Sequence, residues 1–249
     1  MESLGKILQM MPTEIDQELV SSHYQDDEQE SVDPIRSLLG QCGFDPHVPV
    51  PHDNFDWYDP ALQHSPEAQR EAQRLVKAVS DWSTQEEGSP PWLLIAGATG
   101  TGKTQLMKTA VWNQKQRGVW SRYITAYMFD RQVKDFQNSL NKNSNAPAKD
   151  IDVWVEELAS VSGGLVIDDV GAGYVDRGWT KTRFERLFDI RYERRLPTAI
   201  ATNLTGEGFL AAVGERVYSR VSDTSLGRIL KLQHCDDVRS FLGTGNDRI

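Results

Sequence analysis

Residues 97–104 read Gly-Ala-Thr-Gly-Thr-Gly-Lys-Thr, and they follow the apolar run Trp92-Leu93-Leu94-Ile95-Ala96. The spacing G-x-x-x-x-G-K-[ST] from Gly97 to Thr104 is that of a loop that wraps phosphate groups. Its glycines let backbone N–H groups turn inward where a side chain would collide with the anion. Lys103 places a cation against β- and γ-phosphates, and the Thr104 hydroxyl can ligate Mg²⁺. A helix expected to start near Lys103, through Leu106, Ala110 and Val111 toward Gly118, adds its positive end. Gly97, Ala98, Thr99, Gly100, Thr101, Gly102, Lys103, Thr104 and Gln105 are thus the candidate contacts for ATP or ADP with Mg²⁺.

Two further strand ends extend the pattern. Leu165-Val166-Ile167-Asp168-Asp169 is an apolar run ending in two carboxylates. A buried parallel strand delivers such acids at its C-terminal end, the sheet edge where a phosphate loop also lies. Asp168 is then placed to hold Mg²⁺, directly or through water, and Asp169 to orient and deprotonate the attacking water. Ala199-Ile200-Ala201-Thr202-Asn203 ends in a polar pair. Asn203 either bonds the γ-phosphate or the attacking water, or simply starts a turn. Strands are expected at 92–96, 120–125, 164–168, 197–202 and 228–233, with helices between them. That alternation predicts an α/β protein with a parallel sheet covered on both faces.

The 249 residues (28.1 kDa) suffice for one full α/β domain and a short appendage. No apolar run is long enough to suggest a membrane span, and the opening MESLGKILQMMPTEIDQ has none of the features of a secretory signal. Two cysteines, Cys42 and Cys235, cannot form a disulfide framework, so a cytoplasmic setting is expected. The net charge of −9 divides unevenly: −13 over residues 1–90 and +4 over residues 91–249. An acidic head on a mildly basic body suggests two jobs, although a solubilising tail would look the same. Leu4, Ile7, Leu8 and Ile15, Leu19, Val20 flank the acidic run Asp26–Glu30 and predict a small, mainly helical unit. Pro46, Pro49, Pro51 and Pro60 make residues 41–60 read as a linker, and Cys42, His47, His52 and His64 there lack any recognised metal-ligand spacing. Ser65 and Pro66 then start a helix with Ala68, Ala72, Leu75, Val76, Val79 and Trp82 on one face. The resulting division is a head at 1–52 and a body at 53–249.

In this order, the phosphate loop, the acidic strand and the polar strand end resemble the Walker A, Walker B and sensor 1 elements of the AAA+ ATPases. More narrowly, residues 53–242 resemble the DnaC-type helicase loaders and the related IstB-type transposition ATPases. The resemblance lies in Asn54-Phe55-Asp56-Trp57, LVIDDVG at 165–171, ATN at 201–203 and GERVYSRV at 214–221. It implies a P-loop AAA+ sheet without the C-terminal helical lid, since 16 residues follow the last expected strand. Arg220 corresponds to the arginine finger that reaches a neighbouring subunit's nucleotide, and Arg239 to a sensor 2-like arginine. Arg216, one turn before Arg220, is read instead as an intramolecular ion pair. Phe55 and Trp57 pack either near the adenine or in the core. The Asp168-Asp169 pair departs from the usual Asp-Glu by one methylene, which implies slow hydrolysis.

Between the two Walker motifs, Ala126, Phe129, Val133, Phe136 and Leu140 follow helical spacing, with Arg131 and Lys134 on other faces. Rings stack on bases while cations follow phosphates, a combination suited to single strands. Lys134 and Phe136 are candidate DNA contacts, Phe136 serving equally well as core. Tyr174, Arg177, Lys181 and Arg183 form a second candidate group. The resemblance implies a Mg²⁺-dependent ATPase that delivers a DnaB-type hexameric replicative helicase onto single-stranded DNA as replication begins. It further implies a homo-oligomer of up to six subunits with ATP between neighbours, in the cytoplasm of a bacterium, encoded by the cell or by a phage. The rivals are an IstB-type helper of a transposase on duplex DNA and an adaptor that binds ATP and hardly hydrolyses it.

Overall fold

Strands buried on both faces read as unbroken apolar runs, and in the computed structural model β3 and β4 are buried along their whole length. The structure describes residues 34–45, 47, 49–86, 88–141, 151–171 and 178–239. In chain order the elements are α1 (Pro34–Gln41), a 3₁₀ turn (Pro60–Leu62), α2 (Pro66–Thr84), β1 (Trp92–Gly97), α3 (Lys103–Gln116), β2 (Arg122–Thr125), α4 (Ala126–Asn141), α5 (Ile151–Ala159), β3 (Leu165–Asp168), α6 (Gly178–Glu193), β4 (Thr198–Thr202), α7 (Gly206–Val221) and β5 (Gly227–Leu232). The strands form one parallel sheet in the order β2-β3-β4-β1-β5. All five lie within two residues of their expected positions. The small helical unit expected at 1–33 lies outside the described residues.

Alternation along the strands divides the interior in two. Leu93, Ile95, Tyr123, Val166, Ala199 and Ala201 join the cluster covered by α2 and α3, with Leu75, Val79 and Leu106. Trp92, Leu94, Ile124, Ile167 and Ile200 face the other cluster, covered by α4 to α7 with Phe129, Val155, Phe184 and Val217. Helix α2 starts as its sequence predicts: Ser65 Oγ accepts the Ala68 N–H at 3.1 Å, and Ala68, Ala72, Leu75, Val79 and Trp82 are buried.

Residues 34–58 are bound into the body more closely than a head and linker would be. Leu38, Leu39, Cys42, Phe44 and Tyr58 are buried in the first cluster. The Cys42 carbonyl accepts the Tyr123 N–H at 2.7 Å, which occupies part of the outer edge of β2. Gly43 makes this approach possible: its φ is +80°, and a Cβ there would lie 2.2 Å from the Tyr123 carbonyl oxygen. Asp53 accepts from Trp112 Nε1 at 3.0 Å and from Gln116 at 2.6 Å, tying the proline-rich stretch to α3. Prolines here break periodicity without freeing the chain, because isolated aromatic and apolar side chains anchor it.

The topology gathers the chemistry at one sheet edge. Thr125 is in register with Asp168, Ala96 with Thr202, and Gly97 with Leu232. The C-terminal ends of all five strands therefore lie side by side.

Candidate functional site

The chain leaves β1 at Gly97 and enters α3 at Lys103 through two left-handed glycines, Gly100 (φ 85°) and Gly102 (φ 86°). Both are also crowded. A Cβ on Gly100 would lie 2.3 Å from the Asp237 carboxylate, and one on Gly102 would lie 2.5 Å from the Tyr58 ring. Tyr58 donates its hydroxyl to the Thr101 carbonyl at 3.1 Å, and the Val238 N–H bonds the Gly100 carbonyl at 2.9 Å. Loop shape is thus fixed from both sides by residues remote in sequence. Lys103 Nζ donates to the carbonyls of Gly97 (2.8 Å) and Ala98 (2.5 Å) and to Thr101 Oγ1 (3.2 Å). Burial lowers its pKa, and the nearby charges of Asp168 and Asp169 work the other way.

One cavity of about 690 Å³ is lined by residues 99–105 of this loop and by Asp168, Asp169, Thr202 and Asn203. Trp57, Tyr123, Thr125, Val238 and Arg239 complete its wall. Asp168 is buried, and both of its carboxylate oxygens are held: Oδ1 accepts the Asp169 N–H and Oδ2 the Tyr123 hydroxyl, each at 2.8 Å. Asp169 turns the chain away from β3 in a left-handed conformation (φ 52°), which Asp tolerates better than most residues, and its side chain is exposed. Thr202 accepts the Leu204 N–H at 3.1 Å and donates to the Val170 carbonyl at 2.5 Å, fixing the turn that carries Asn203. Thr104 and Asp168 present hard oxygen donors to the same cavity. That set fits Mg²⁺, which keeps water and phosphate oxygens among its ligands.

Similarity to solved structures follows this geometry. The DnaC helicase loader matches with a TM-score of 0.54 at 15% identity, over 73% of this chain and 97% of that one. Domain III of the Thermotoga maritima replication initiation protein DnaA matches with a TM-score of 0.54 at 19% identity, over 78% and 73% of the two chains. The replication initiator DnaA bound to AMPPCP and single-stranded DNA matches at 0.53 and 21%, over 72% of this chain and half (50%) of that one. This is the AAA+ P-loop fold. No protein-family model matches the chain, and no curated protein matches it by sequence.

Within the AAA+ fold the sequence-derived candidates separate into groups. Residues 99–105 of the loop, Asp168, Asp169, Asn203 and Arg239 meet at the cavity, and Gly97 and Ala98 hold Lys103 through their carbonyls. Arg239 there pairs with Asp237 and holds that carboxyl down to about 2. The buried Glu71 carboxylate accepts the N–H groups of Gln233 (2.9 Å), His234 (2.8 Å) and Cys235 (3.2 Å), which fixes the turn bringing Val238 and Arg239 to the loop. Trp57 lines the cavity and stacks on His52 at 4.8 Å, whereas Phe55 packs against the first cluster.

Arg220 lies elsewhere, in the last turn of α7. Its guanidinium is 2.8 Å from Asp189 of α6 and 5.5 Å from the centre of the Tyr192 ring. Arg216 makes an intramolecular pair with the same carboxylate at 2.6 Å.

The DNA candidates are engaged with their neighbours. Lys134 pairs with Asp130 at 2.5 Å, and Phe136 packs partly buried beside Trp154. Arg183 pairs with Asp152 at 3.2 Å and stacks on Trp179 at 4.4 Å, while Lys181 lies against Gly214. Tyr174 and Arg177 fall outside the described residues. Sequence reasoning missed Tyr123, Val238 and Trp179. Trp179 is 46% exposed beside Lys181 and Arg183, so an aromatic preceding two cations was its available signal.

Proposed function

We propose that this chain is an ATP-dependent loader that delivers a DnaB-type replicative helicase onto single-stranded DNA. The observation that carries the nucleotide part is the convergence of Lys103, Asp168, Asp169 and Asn203 on one cavity at the C-terminal edge of a parallel sheet. The loader part rests on the resemblance of motifs and on the fold shared with the DnaC helicase loader. Single-stranded DNA enters the reading because a DnaA of the same fold is seen bound to AMPPCP and to such a strand.

In this reading the loop amides and Lys103 hold the β- and γ-phosphates. Mg²⁺, when bound through Thr104 and Asp168, supplies charge neutralisation across those phosphates. Asp169 orients the attacking water and takes its proton, and Asn203 donates to the γ-phosphate. Arg220 acts on the nucleotide of an adjacent subunit, leaving Asp189 to do so. Arg216 stays on that carboxylate, so the exchange leaves no buried charge unpaired. Arg220→Ala should then lower ATP turnover at least tenfold with nucleotide affinity changed less than threefold. Turnover per subunit of the unaltered protein should rise with protein concentration. Full activity of the variant would remove Arg220 from the mechanism.

The acidic head is assigned to the helicase, because its carboxylates steer it toward a basic surface and away from DNA. Removal of residues 1–33 spares Leu38, Leu39, Cys42 and Phe44 of the body's core. The truncated chain should bind Mg-ATP normally and fail to retain a DnaB-type hexamer in a pull-down. Retention at full affinity would contradict the assignment. Tighter binding to duplex than to a single strand of equal length would favour the transposition helper instead.

A further inference from the structure

The hydroxyl of Tyr123 has no part in the nucleotide chemistry described so far, yet it lies at the centre of the site. Tyr123 is on β2, one strand away from the Walker B acid, and its side chain shares a sheet face with Val166 and Asp168. Its ring is 6% exposed and lines the nucleotide cavity. Its hydroxyl donates to Asp168 Oδ2 at 2.8 Å, while Oδ1 takes the Asp169 N–H at the same distance. A carboxylate offers about four acceptor positions, so each oxygen keeps one for another ligand.

The donor is itself held in place. Its backbone N–H bonds the Cys42 carbonyl at 2.7 Å, and the Phe44 ring lies 5.5 Å from its own. Lys108 Nζ sits 5.5 Å from the ring centre. The carboxylate has no such restraint of its own, because the terminal torsion of an Asp side chain is broad and roughly two-fold. Two donors on opposite oxygens reduce that freedom to one orientation.

The geometry points to Tyr123 as the positioning residue of the metal-binding carboxylate, its hydroxyl fixing Asp168 in the orientation that receives Mg²⁺. This assignment rests on the reading of the cavity as a Mg-ATP site. Outer hydrogen-bond partners of metal ligands commonly change metal affinity ten- to a hundred-fold when removed. The effect belongs to the metal and not to the nucleotide as such, since the hydroxyl bonds Asp168 while Lys103 bonds the carbonyls of Gly97 and Ala98 and the Thr101 hydroxyl. Sequence pattern gives no sign of it: a tyrosine in a short apolar strand reads as core.

Tyr123→Phe in the full chain keeps the ring and removes the oxygen. The measurement is the affinity for a fluorescent ATP analogue, first in EDTA and then across a Mg²⁺ titration, repeated with Mn²⁺. In EDTA the variant should match the unaltered protein within twofold, which also shows that it is folded. In the titration the metal concentration for half-maximal effect should rise about tenfold. Asp168→Asn should abolish the metal effect, and adding Tyr123→Phe to it should change nothing more. Equal metal dependence in variant and unaltered protein would overturn the assignment. So would an equal loss of affinity with and without metal, which would mark the hydroxyl as structural. Absence of nucleotide binding by the unaltered protein would overturn the Mg-ATP reading itself, a result distinct from either.

Discussion

Lys103→Ala is expected to lower affinity for Mg-ATP by on the order of a hundredfold, equivalent to roughly 3 kcal/mol. The ammonium is the loop's own cation, and it lies beside two anions, Asp168 and Asp169. With alanine there, the loop itself would offer the triphosphate only backbone dipoles against the repulsion of those carboxylates. A charge-assisted hydrogen bond is worth about twice a neutral one, and in this reading Lys103 makes it to the β- and γ-phosphates. AMP should therefore suffer much less than ATP. Burial depresses the Lys103 pKa, and the charges of Asp168 and Asp169 work against that shift. Titration with a fluorescent ATP analogue, with circular dichroism as a control on folding, measures the effect. An affinity within threefold of the unaltered protein would mean that the loop does not bind phosphate as described.

What could be read from sequence follows from which interactions are local. The phosphate loop occupies eight consecutive residues, and strands buried on both faces show as apolar runs, so both were legible. The cap of α2 was legible for the same reason: Ser65 bonds a residue three positions away. The cavity's other walls were not. Tyr123 and Asp168 are 45 residues apart, and neither residue's neighbours reveal the pairing. Arg220 and Asp189 meet only because α6 and α7 pack side by side. In residues 41–60 the prolines made the stretch read as a linker, and the anchors Phe44 and Tyr58 that bind it to the body have no periodicity by which to be recognised. The basic side chains expected to face DNA show a related gap. Lys134 with Asp130 is an ordinary pair across one helical turn, legible but passed over. Arg183 with Asp152 required knowing that α5 and α6 are neighbours.

Arg191 is the extreme case of a residue whose role only the tertiary structure discloses, and its removal should produce the largest loss of stability. A cation near the end of a surface helix ordinarily reads as solvated, yet Arg191 is fully buried at 0% exposure. Burial lowers its pKa to about 9, so it remains charged at neutral pH. It is held by polar acceptors. Its Nε donates to Thr198 Oγ1 at 2.8 Å, and its terminal nitrogens donate to the carbonyls of Ala159 (3.0 Å), Val161 (2.9 Å), Gly163 (3.2 Å) and Pro197 (2.5 Å). The planar fork thus joins the ends of α5 and α6 to the chain entering β3 and β4, the strand that ends in Asp168 and the strand that Asn203 follows. Truncation to alanine would leave a cavity and several buried acceptors without a donor, at about 1–3 kcal/mol for each that water cannot reach. A total near 4 kcal/mol is expected, a large share of the ~5–15 kcal/mol available to a domain. Lysine should recover only part of it, because three donors on a flexible stem cannot serve five acceptors arranged in a plane. Urea denaturation of Arg191→Ala should show a much lower midpoint at a similar slope. Saturating Mg-ATP should raise that midpoint again, because a ligand that binds only the folded state stabilises it by mass action. An unfolding free energy within about 1 kcal/mol of the unaltered protein would show that the acceptors find other donors, and that the strand entries do not depend on the guanidinium.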